Sequence, residues 1–161
     1  MNKVEERLRL LSEILLEKNQ TLAVAESVTA GLLMSRLSLA QNATQFFQGG
    51  ITAYNLGQKA KHLSVDPILA DKANCVSAGI ALQMAKDVAS KFNSYWGIAV
   101  TGYAVPVPAL QVKSCYAFCS IINVQGIQHS FKIESKFKEQ LKNQTFYVDA
   151  IIKELVSQIQ A

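Results

Sequence analysis

The sequence predicts an α/β domain, a three-layer α/β/α sandwich with a mixed sheet, and three observations predict it. Short, almost wholly apolar runs at residues 21–25 and 96–100 read as strands buried on both faces. Apolar residues recur at helical spacing on either side of those runs. Near the C-terminal end, two strand-like runs meet at Gln125-Gly126, which reads as a hairpin-like turn. Helices alternating with buried strands require a layered sheet, and the hairpin adds antiparallel strands to it.

Each element has its own warrant. Val4, Leu8, Leu11 and Leu15 form the apolar stripe of a first helix. The strand at residues 21–25 precedes a helix beginning near Gly31 and carrying Leu32, Leu33 and Leu37. Residues 46–54 read as a second strand, with Gly49-Gly50 marking a bulge or a close backbone approach. A helix is expected over residues 55–62, and Pro67 opens a short one as its first residue. Ser77 caps a longer helix whose core face is Ile80, Met84, Val88 and Phe92. Strands follow at 96–100, 115–124 and 128–133. The last helix carries Leu141, Val148, Ile152, Leu155 and Ile159 on one stripe.

Composition narrows the class of protein. A chain of 161 residues, half of them hydrophobic, can bury one core, and no linker or repeat divides residues 1–161. Polar residues interrupt every apolar run well short of the ~20 residues that a membrane span needs, so no membrane association is expected. The first residues carry acids and no apolar stretch, so the expected location is cytoplasmic. The net charge of +4 is spread out. Lys132, Lys136, Lys138 and Lys142 cluster with few interleaved aromatics, which reads as a solvated face and not a nucleic-acid footprint. Cys75, Cys115 and Cys119 form no metal or redox signature, and Cys115 and Cys119 read as core fillers on one strand face. His62 and His129 have no ligand-spaced partner, so neither a metal nor a cofactor is expected.

Chemistry concentrates in Ala25-Glu26-Ser27-Val28-Thr29-Ala30-Gly31, set between the first strand and the second helix. A serine at a strand-to-helix turn lies beside unpaired backbone N–H groups that suit a negative oxygen. Ser27 there can be a nucleophile or an anion clamp; Ser27 or Thr29 can equally be a plain helix cap. Glu26-Ser27-x-Thr29-x-Gly31 resembles the A-E-S-x-T-G-G signature of the CinA C-terminal-domain family, the nicotinamide mononucleotide amidohydrolases. Further matches follow in order along the chain. Gly49-Gly50-Ile51-Thr52-Ala53-Tyr54 with Lys59 is similar to the family's G-G-V-x-x-Y-x-x-x-x-K segment, and Val76-Ser77 to its A-V-S helix start. Thr101-Gly102-x-Ala104-x-Pro106 is similar to most of its T-G-I-A-G-P loop.

The resemblance implies hydrolysis of the nicotinamide carboxamide of the mononucleotide to nicotinate mononucleotide and ammonia, without a metal. It makes Ser27 the nucleophile, Lys59 its general base, and Tyr54 a residue that orients the base or the substrate. Glu26, Thr29, Ala30, Gly31, Thr101, Gly102, Lys138 and Lys142 would bind substrate, a pyridine mononucleotide or a relative of it. Backbone N–H groups near residues 29–31 would stabilise the oxyanion, a contact worth ~3–4 kcal/mol in hydrolases. The resemblance also implies a homodimer or higher homo-oligomer.

The departures fall on substrate recognition. Ala30 stands where the family has its second glycine, and Val105 stands in place of a loop glycine. Val107-Pro108-Ala109-Leu110 replaces a glycine-rich stretch, and the family's two arginines near the last helix become Lys138 and Lys142. Lysine keeps the charge but loses the planar fork that fits phosphate. Three functions therefore remain open: the amidohydrolase, an amidase on another small substrate, and a catalytically degenerate relative that binds a nucleotide-like ligand or a partner protein.

Overall fold

The computed structural model describes residues 1–161. The chain runs α1 (Lys3–Glu17), β1 (Leu22–Glu26), α2 (Leu32–Leu37), β2 (Phe47–Thr52), α3 (Leu56–Leu63), α4 (Pro67–Lys72), α5 (Ala78–Lys91), β3 (Trp96–Gly102), β4 (Cys115–Asn123), β5 (Gln128–Ser135) and α6 (Gln140–Gln160). The five strands form one sheet in the order β2-β1-β3-β4-β5. β1 is parallel to both β2 and β3, and β3, β4 and β5 are antiparallel, so the sheet is mixed.

Strand alternation divides the core between two faces. Leu22, Val24, Ile98, Val100, Cys119 and Ile121 pack with buried residues of α1, α2 and α6. Ala23, Ala25 and Ala99 turn the other way and pack with residues of α3, α4 and α5. Those small alanines bring the second helical layer close to the sheet.

The Gly49-Gly50 pair does two things. β2 carries an extra residue opposite Leu22 and Ala23, where Gly49 has φ +109°, and a Cβ on Gly50 would lie 2.0 Å from the Val24 carbonyl oxygen. The second strand is shorter than the expected 46–54, because Phe46 closes a 3-10 turn and Tyr54 lies beyond the strand. Asn123 organises the β4–β5 turn, its side chain accepting from the N–H groups of Gln125 and Ile127.

Leu141 departs from its expected core stripe: it is 65% exposed and shares a surface groove with Phe137 and Phe146. Asn143 takes the inward position in that turn, because its amide satisfies buried carbonyls that an aliphatic chain would leave unpaired.

Candidate active site

The parallel strands β2, β1 and β3 end on one edge of the sheet. The chain leaves β1 there toward α2 on one face and leaves β2 toward α3 on the other. Such switch points open a crevice outside the carboxyl ends of the strands. Here the crevice is a cleft of about 340 Å³, lined among others by Ser27 after β1, Tyr54 after β2, Lys59 on α3 and Thr101 and Gly102 at the end of β3.

Ser27 is buried at the turn. Its N–H donates to the Val100 carbonyl (3.0 Å) and its carbonyl accepts from the Ala30 N–H (3.0 Å). Its hydroxyl caps no helix, so the cap reading falls. Glu26 does the capping instead. Strand alternation turns its side chain toward α2, where its carboxyl group accepts from the N–H groups of Gly31, Leu33 and Met34 and from the Thr29 hydroxyl. Both Glu26 and Thr29 are buried, and neither lines the cleft, so they shape the turn and leave substrate to other residues. Ala30 and Gly31 also lie outside the cleft. Both have positive φ, +50° and +97°, so the backbone keeps a glycine-type conformation at Ala30 at a cost of roughly 1 kcal/mol.

The N–H groups expected to meet an oxyanion are partly spent, since those of Ala30 and Gly31 bond within the turn. Those of Val28 and Thr29, the two residues after Ser27, have no partner in the chain. Val28 lines the cleft and Thr29 does not, so the Val28 N–H is the donor left for a negative oxygen formed at Ser27.

α3 delivers the lysine. Asn55 caps it by accepting from the Gln58 N–H, and Lys59 then faces inward from the first turn. Lys59 is 2% exposed. Its Nζ lies 2.8 Å from Ser27 Oγ and has no other hydrogen-bond partner and no ion pair. Burial holds its pKa below the ordinary lysine value, against an opposing effect of the Cys75 thiol. An unpaired ammonium would be costly at this depth, and a neutral amine is the form that accepts a hydroxyl proton.

Tyr54 stands at the mouth, 61% exposed, with no hydrogen bond to Lys59 or Ser27. Thr101 is buried and donates from its hydroxyl to the Cys75 carbonyl. Lys138 and Lys142 are exposed and do not line the cleft, and Lys142 pairs with Glu139 at 2.9 Å. The cleft thus gathers Ser27, Lys59, Tyr54, Thr101 and Gly102, and leaves out Glu26, Thr29, Ala30, Gly31, Lys138 and Lys142.

Several shaping residues carry no sequence signal of that role. Asn74 and Cys75 reach the cleft through consecutive left-handed residues, φ +49° and +62°. α6 braces both walls from behind. Gln144 donates to the Val28 carbonyl (2.9 Å), Asn143 to the Ala104 carbonyl (2.8 Å) and the Tyr147 hydroxyl to the Tyr103 carbonyl (2.7 Å).

Replacing Glu26 should damage this geometry from outside the cleft. Glu26→Gln places an amide NH₂ against backbone N–H groups, so at least one contact becomes donor against donor. Its expected cost is about 1–3 kcal/mol of stability, read as a lower denaturation midpoint, together with looser positioning of Ser27. An unchanged midpoint would show that the four contacts to this carboxyl group do not hold the turn.

The family model described as the CinA C-terminal domain matches residues 4–154. A CinA-like protein from Thermosynechococcus vestitus is 38% identical over 129 residues, 78% of this chain and 31% of the relative. One from Cyanothece sp. is 32% identical over 120 residues, 74% of this chain and 29% of the relative. The chain therefore spans less than a third of the length of these relatives. The solved competence or damage-inducible protein from Enterobacter asburiae superposes with a TM-score of 0.90 at 22% identity, covering 99% of each chain. That likeness shows a shared fold.

Proposed function

The chain belongs to the CinA C-terminal-domain family, and from that premise we propose that it is a serine–lysine amidohydrolase acting on a pyridine carboxamide of the nicotinamide mononucleotide type. One observation carries the reading: a buried lysine whose sole partner is the hydroxyl of a serine at the carboxyl end of a central strand. A lysine serving structure alone at that depth would be paired with an acid.

The chemistry follows from the geometry. Ser27 Oγ attacks the carboxamide carbon while Lys59 Nζ takes the hydroxyl proton. The developing oxyanion meets the free N–H group of Val28. Lys59 returns its proton to the departing nitrogen, the C–N bond breaks, and ammonia leaves an ester on Ser27. Water then attacks the ester while Lys59 takes its proton, the bond to Ser27 Oγ breaks, Lys59 returns that proton to Oγ, and the carboxylic acid departs. For nicotinamide mononucleotide the products are nicotinate mononucleotide and ammonia.

The ester intermediate supplies the test. Hydroxylamine competes with water for an acyl-serine, so adding it during turnover should divert product from the acid to the hydroxamate without slowing ammonia release. Acid as the sole product, at every hydroxylamine concentration, would count against a covalent route through Ser27.

A further inference from the structure

The lining of the cleft is uncharged apart from Lys59: it holds no arginine, no second lysine and no acid. Its remaining polar side chains, among them Tyr54, Asn55, Asn74 and Gln140, are neutral amides and hydroxyls. From this lining we infer that the cleft takes a carboxamide that carries no phosphate, which for a pyridine carboxamide means the nucleoside and not the mononucleotide. The inference rests on the amidase reading and narrows its substrate class.

A phosphate entering this cleft loses hydration and meets no cation except the catalytic amine, so its desolvation goes uncompensated. Lysines of the 132–142 cluster do not reach the lining, and those at 132 and 142 are paired with Glu134 and Glu139. With the carboxamide held at Ser27, the phosphate of a mononucleotide lies across the ribose from Lys59. Its negative charge still favours the ammonium over the neutral amine that Ser27 needs, whereas the pyridinium ring favours the neutral amine. Tyr54 and Tyr103 line the cleft, and tyrosine faces attract that cationic ring.

The experiment compares two probes on the wild-type protein, nicotinamide mononucleotide and its dephosphorylated nucleoside, nicotinamide riboside. Specificity constants for ammonia release should favour the nucleoside by about tenfold or more, the scale of one missing charged contact. Equal or better use of the mononucleotide would overturn the inference and leave the amidase reading standing. If neither probe releases ammonia, the amidase reading fails by itself, and calorimetric binding of the same two probes decides the inference. Tighter binding of the nucleoside then supports it; tighter or equal binding of the mononucleotide, or binding of neither, overturns it.

Discussion

Ser27→Ala is expected to lower the rate of ammonia release by at least about 10³-fold while leaving substrate affinity within a few-fold. Only the covalent step needs the hydroxyl. The backbone contacts that hold the turn, from Ser27 N–H to Val100 and from Ala30 N–H to Ser27, do not involve the side chain. The four contacts to Glu26 that cap α2 are equally untouched. The variant should therefore fold with the cleft intact, and calorimetry should show the substrate binding without turnover. Turnover close to wild type would mean that Ser27 serves only the turn.

Lys59→Met should cost nearly as much activity, and the Ser27→Ala/Lys59→Met pair should be no worse than either alone, because nucleophile and base act as a unit. The same substitution should make the protein more stable at neutral pH. Burial holds the Lys59 pKa below that of an unfolded lysine, so between the two values the unfolded chain binds more protons. Stability of the wild type then rises with pH through that window, and below it the folded state carries a buried ammonium. Methionine removes that cost and keeps the volume. Thermal melts across pH should show the variant gaining most below the window and converging with wild type above it. Activity of the wild type should climb with pH through the same depressed pKa, since the neutral amine is the working form. A flat activity profile, or a destabilised Lys59→Met, would contradict the assignment of Lys59 as the base.

Fold and site differ in how much of them the chain displays. The strand at 96–100 is legible because burial on both faces leaves an unbroken apolar run, and the helices at α1 and α5 show because one-sided burial imposes a period. Leu141 misleads because periodicity cannot report where the core ends. In the site, the motif around Ser27 and its spacing to Lys59 fall together in space. Glu26 enters as a site residue through the family resemblance, but the strand's alternation sends it to the opposite face. Lys138 and Lys142 enter through the same resemblance, in place of two arginines, and only the fold shows them outside the cleft. The braces from Asn143, Gln144 and Tyr147 depend on contacts 39 to 116 residues away in sequence, which no local pattern encodes.

If the Ser27–Lys59 pair hydrolyses a carboxamide, ammonia and a carboxylic acid must be released together. Purified protein incubated with nicotinamide mononucleotide and, separately, with nicotinamide riboside tests it most directly when ammonia and the matching carboxylic acid are quantified together. Both products should appear in equal amounts from at least one probe, far beyond one equivalent of protein. Binding of a probe with neither product above one equivalent would contradict it, and would make the cleft a binding site without turnover.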